Sequence, residues 1–119
     1  MDNKTAGKLL EEWKKRLGLY DWQIELQISC APDEMEMEDV CGCTAWQEVN
    51  KTALVQIVDE KYYGKRIAPY DFEKTLVHEL LHLKTCLLSD TDNELQQRVA
   101  HQLIDDLARA FVDAKRKGS

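Results

Sequence analysis

The stretch Asp71-Phe72-Glu73-Lys74-Thr75-Leu76-Val77-His78-Glu79-Leu80-Leu81-His82-Leu83-Lys84-Thr85-Cys86 decides the fold. Phe72, Leu76, Val77, Leu80, Leu81 and Leu83 recur at helical spacing and Asp71 is a good N-cap, which predicts a helix from about Phe72 to Cys86. Inside it stands His78-Glu79-Leu80-Leu81-His82, an H-E-x-x-H in the helical context that motif requires. Residues four apart on a helix lie about 40° apart around the axis and about 6 Å along it, so both imidazoles can converge on one metal ion. Two imidazoles with a carboxylate suit zinc, and a catalytic zinc keeps one position open for water. Glu79 is then placed to act as general base on the zinc-bound water.

Downstream, the short link Ser89-Asp90-Thr91 leads into a second helix, from about Asp92 to Ala114, built on Leu95, Val99, Leu103, Leu107 and Phe111. A short link implies an antiparallel helix pair, bringing the start of the last helix back beside the metal-binding turn. Glu94 and His101 are the candidates there for a third ligand. They differ by only about 20° around the helix but by about 10 Å along it, so one ion cannot readily take both. A histidine ligand six residues after His82, in H-E-x-x-H-x-x-G-x-x-H, is excluded because Thr85 and Leu88 stand where glycine and histidine are needed. Thr91-Asp92-Asn93-Glu94 also reads as a capping box, a purely structural role that competes for Glu94.

Upstream, Leu9, Leu10, Trp13 and Leu17 mark one stripe of a helix over residues 5 to 17, with Gly18 just beyond it. Trp22, Ile24, Leu26 and Ile28 then alternate with Gln23, Glu25, Gln27 and Ser29, the pattern of a half-buried strand. Residues 31 to 42 carry the run Asp33-Glu34-Met35-Glu36-Met37-Glu38-Asp39 and read as a solvated acidic loop. Two further strands, Cys43 to Val49 and Thr52 to Asp59, flank Asn50-Lys51 at hairpin distance. The expected fold is one α+β domain over residues 1–119: an N-terminal helix, a three-stranded, mainly antiparallel sheet, the H-E-x-x-H helix and a last helix. The tail 115–119 is expected to fray.

The chain has 119 residues, 16 basic against 22 acidic, and a formal net charge of -6. That balance disfavours nucleic acid or an anionic membrane as a general partner. No apolar run approaches the roughly 20 residues of a membrane span, and residues 1 to 15 lack the apolar core of a secretory signal. The four cysteines, Cys30, Cys41, Cys43 and Cys86, therefore read as thiols and the expected location is the cytoplasm.

His78-Glu79-x-x-His82 followed on the next helix by Asn93-Glu94 resembles the gluzincin branch of the zincin metallopeptidases. The order of elements in so short a chain is similar to the minimal gluzincins and small phage-associated metallopeptidases. The resemblance implies a zinc-dependent metallopeptidase acting on peptide or protein substrates, with His78, His82 and Glu94 holding zinc. It also implies that one strand between Cys43 and Asp59 binds the substrate in extended form by β-augmentation. The family often has an aspartate four residues after its glutamate to orient a ligand histidine; this chain has Arg98.

Tyr62, Tyr63, Tyr70 and Arg98 are the candidates to stabilise the oxyanion of a tetrahedral intermediate. Cys86 continues the line of His78 and His82 and reads as a buried thiol, while Cys41-x-Cys43 lacks the second pair of a structural zinc site. A di-iron protein would need two Glu-x-x-His elements on a four-helix bundle, whereas this chain spends its middle on strands. DNA-associated proteases of the SprT-like kind typically show a third histidine together with a basic surface, which the charge here does not favour. The remaining alternative is a catalytically inactive zincin-fold binding module of phage or host origin, against which the presence of Glu79 speaks, because a purely structural site needs the histidines and no general base.

Overall fold

The computed structural model describes residues 1–35, 41–64, 66–86 and 92–118. Helix α1 (Asn3–Leu17) starts where the Asp2 side chain accepts from the Thr5 amide at 2.7 Å. It ends at Gly18, whose φ of 69° lies in the left-handed region that glycine tolerates. Ala6, Leu10 and Trp13 form its buried stripe. Strand β1 (Gln23–Cys30) keeps the expected alternation, with Ile24, Leu26 and Ile28 packed on the core and Gln23, Glu25 and Gln27 in solvent.

Strands β2 (Gly42–Gln47) and β3 (Thr52–Val58) are antiparallel, and the sheet order is β1-β3-β2. The link between them is four residues, longer than the Asn50-Lys51 turn expected, and Lys51 adopts φ 53° in it. β1 runs parallel to β3, from Gln23 opposite Thr52 to Cys30 opposite Val58, with a register irregularity after Gln27. The sheet is therefore mixed, not mainly antiparallel. The chain passes from one edge to the other before β3 fills the centre, so β3 is the most deeply buried strand.

Helix α2 (Phe72–Lys84) lies across β2 and β3 and packs on α1; helix α3 (Glu94–Arg116) packs on α2. Leu76, Val77 and Leu80 of α2 are fully buried and join Trp13, Leu19, Val55 and Ile57 in one core between the helices and the sheet. The stripe Leu95, Val99, Leu103, Leu107, Phe111 does not form the inner face of α3. Ile104, Ala108 and Val112 are the buried residues instead. The inner face also has to present polar groups to a cleft, and small or branched residues let α3 approach α2 closely there.

The C-terminal turn is anchored rather than frayed. Arg116 donates from Nη1 and Nη2 to both carboxylate oxygens of Asp71, at 2.8 and 2.9 Å. Lys115 pairs with Glu73 and, at 3.0 Å, with Glu12, and the Trp13 indole donates to Glu73 at 2.8 Å. Asp71 is also the N-cap of α2, accepting from the Lys74 amide, so one carboxylate starts one helix and ties down the end of another. Residues 36–40 of the acidic loop, 87–91 of the helix link and Ser119 lie outside the described residues.

Candidate metal centre

Between β2, α2 and α3 lies an open cleft of about 1000 Å³. His78 and His82 project into it from successive turns of α2, and His101 meets them from α3. The ring centres are 5.2 Å apart for His78 and His82, 4.8 Å for His78 and His101, and 5.8 Å for His82 and His101. One nitrogen from each ring can be chosen so that all three lie within 4.8 Å of one another, a group able to hold a metal ion.

The electrostatics suit a cation. Burial, with repulsion from His78 and His101, brings the His82 pKa down to about 4. Burial and His101 also lower that of His78, opposed by Asp105. Both rings are thus neutral near pH 7, with lone pairs free for coordination. Asp105 Oδ1 stands 3.4 Å from His78 Nδ1, which leaves Nε2 as the nitrogen turned to the shared space. Asp105 in turn accepts from Arg109 at 2.6 Å. Trp46, on β2, stacks on the His82 ring with centres 6.4 Å apart.

Glu79 lies beside the three rings and is only 5% exposed. Its Oε1 accepts from Thr44 Oγ1 at 2.7 Å, and Thr44 also lies 3.2 Å from the Glu79 backbone carbonyl. Burial pushes its pKa up to about 7 although the Thr44 hydrogen bond works the other way. Close approach of β2 to α2 depends on Gly42. A Cβ there would stand 3.0 Å from Thr75 Cγ2, 3.1 Å from Glu79 Cγ and 3.2 Å from the Gln56 carbonyl oxygen.

The third member of the cluster is His101, and Glu94 is not part of it. Glu94 is exposed in the first turn of α3, where the cap is Asn93, whose side chain accepts from the Gln96 amide at 3.0 Å. The expected cap, Thr91, lies outside the described residues. The difference is longitudinal: Glu94 opens α3, and His101 follows it by seven residues, about 10 Å further along the axis. Two turns into α3, His101 is level with His78 and His82.

Of the four candidate oxyanion stabilisers, Tyr63 lines the cleft, but its hydroxyl donates to the Ala68 carbonyl at 2.7 Å. Tyr70 donates to the Val58 carbonyl at 2.8 Å, and burial raises its pKa to about 12. Tyr62 and Arg98 are exposed outside the cleft lining. The four cysteines are free thiols: Cys43 donates to Gln56 at 3.2 Å, and Arg66 Nη1 lies 2.9 Å from Cys41 Sγ. Thr44, Trp46 and Asp105 escape a sequence reading. Asp105 alone has a local signal, since it follows His101 by four residues, the spacing that relates His78 to His82.

Among the described residues no helix is long and apolar enough to cross a membrane. Searches of protein-family models, curated proteins and solved structures find no significant match to this chain.

Proposed function

We propose that this chain is a zinc-dependent metallopeptidase of zincin type in which His78, His82 and His101 hold the metal and Glu79 is the general base. The observation that carries this reading is the meeting of the three imidazoles beside a buried carboxylate in one open cleft. Three imidazoles would form a good zinc set, and zinc held by three protein ligands would leave room for water. A purely structural site needs the histidines but no carboxylate next to them, so Glu79 favours catalysis.

Zinc, when bound, polarises a carbonyl and lowers the pKa of water to near 7. The work of the protein is to place groups around it. Asp105 holds the His78 ring by Nδ1, and Trp46 packs on the His82 ring. Thr44 fixes Glu79 through Oε1, leaving Oε2 to take a proton from the attacking water and return it to the departing amine. β2 is an outer strand of the sheet and borders the cleft, so its free edge can take an extended peptide as an added strand. The set of three histidines is shared with the DNA-associated proteases, but a net charge of -6 favours peptide or protein substrates without nucleic acid. Free thiols fit a cytoplasmic protein.

The test is zinc content together with cleavage of a broad peptide library by the wild type and by Glu79→Gln. The expected result is one zinc per chain in both proteins, and hydrolysis about 100-fold or more slower in the variant. Zinc binding without glutamate-dependent cleavage would replace this reading with the inactive binding module.

A further inference from the structure

The cleft beside the three histidines has two unlike ends, set by the way β2 runs alongside α2. Gly42 packs at the level of Thr75, Thr44 bonds to Glu79, and Trp46 stacks on His82, so strand and helix advance together. One end of that course carries the rings of Trp46 and His82. At the other, by the first turns of α2, Arg66 and Lys74 line the same cleft.

Arg66 is exposed yet held in place. Its Nε donates to the Tyr63 carbonyl at 3.1 Å, its Nη1 lies 2.9 Å from Cys41 Sγ, and its Cζ stands 5.0 Å from the centre of the Tyr63 ring. None of these contacts neutralises it, and among the described residues no carboxylate pairs with it. A guanidinium has five N–H donors, so those of Nη2 are left for a further acceptor. The carboxylates that line the cleft nearby are already engaged: Asp71 gives both oxygens to Arg116, and Asp105 pairs with Arg109. Lys74 meets Asp113 at 4.0 Å, a loose ion pair. In a chain of net charge -6, this end of the cleft has a local surplus of the opposite sign.

We propose, on the reading of the cleft as a peptide site, that this end is a subsite for a carboxylate of the bound peptide, taken by Arg66 with Lys74 as the second cation. The carboxylate is that of an acidic side chain or of a chain terminus. Lys74 precedes His78 by four residues, one turn along the same face and about 6 Å along the axis. An extended peptide advances about 3.3 Å per residue, so the carboxylate belongs about two residues from the peptide bond that lies at the histidines. Because Tyr63 and Cys41 fix the guanidinium beforehand, little side-chain freedom is lost when the carboxylate arrives.

Fluorescence anisotropy with the Glu79→Gln protein, with and without zinc, reads binding apart from hydrolysis. The probes are short labelled peptides in matched pairs, with Glu or Gln at each position in turn and with a free or an amidated C-terminus. The expected result is binding about fivefold tighter for a Glu peptide over its Gln partner at one or two positions, a ratio that shrinks in high salt. A preference for the free over the amidated terminus, in place of the Glu series, assigns the subsite to the end of a chain. Adding Arg66→Gln should bring the ratio to about one, and Lys74→Gln should lower it in part, with circular dichroism as the check on folding. Equal affinities within every pair, no binding of any peptide, or a preference that survives Arg66→Gln overturns the proposal. The same pairs given to the wild type separate the two levels of the reading. Hydrolysis with no carboxylate preference removes the subsite and keeps the peptidase, whereas carboxylate-selective binding with no hydrolysis keeps the subsite and removes the peptidase.

Discussion

The ring of His101 lies edge to face with that of His78, centres 4.8 Å apart, across the contact between the last two helices. That relationship, and not the proximity in sequence of Glu94, defines the third corner of the candidate metal centre. His101→Ala should lower zinc affinity at least about 100-fold, more than the loss of an outer partner would. Glu94→Gln should leave it within about twofold, because that side chain is exposed two turns away. Competition against a chromophoric chelator measures both, and the reverse ranking would exclude this ligand set.

Asp105 faces His78 through one oxygen and Arg109 through the other. Asp105→Asn keeps the shape but removes the charge that orients the ring. Zinc affinity should fall about 10- to 100-fold, with the fold intact by circular dichroism. An unchanged affinity would reduce Asp105 to a surface ion pair.

Gly42 lets β2 approach α2. Gly42→Ala adds a methyl group at 3.0 to 3.2 Å from the Thr75 and Glu79 side chains of α2 and from the Gln56 carbonyl oxygen of β3. The expected cost is about 1–3 kcal/mol, read as a lowered Tm, together with slower peptide hydrolysis as Glu79 is displaced. A thermal melt equal to that of the wild type would show that the strand can retreat freely.

The Asp71 carboxyl is held below its ordinary value, chiefly by the Arg116 guanidinium, against the opposing effect of burial. A depressed carboxylate stabilises the folded state fully above its unfolded pKa near 3.9, and that contribution disappears as pH falls through the folded value. Asp71→Asn keeps a good helix cap but loses the ion pair. Its melting temperature should lie below that of the wild type at pH 7, by an amount equivalent to about 1 kcal/mol for a partly exposed pair, and the gap should close below pH 3. A constant gap across that range would mean that packing, not charge, is what the substitution removes.

Much of this architecture is legible in the chain. The apolar spacing around His78 and His82 specifies α2, the alternation from Trp22 to Ser29 specifies β1, and both motif histidines face the cleft. What pattern alone cannot supply is longitudinal and tertiary. Glu94 and His101 point almost the same way from their helix, so only how far along α2 the start of α3 lies chooses between them. The parallel pairing of β1 with β3 depends on β2 crossing to the far edge, which leaves no local trace. On α3 the larger apolar residues suggest one inner face, while Ile104, Ala108 and Val112 make the real one, because that side also has to carry His101 and Asp105.

The anchoring of the last helix is lopsided. Lys115 and Arg116 fasten its far end to Glu12, Glu73 and Asp71, and its three buried residues all lie from Ile104 onward. Residues 94–103 therefore form an arm hinged at the C-terminal end, with His101 near its middle. A metal ion held by His78, His82 and His101 would be the second rivet on that arm, so the bond that prepares the cleft for the proposed chemistry would also close the side of the molecule.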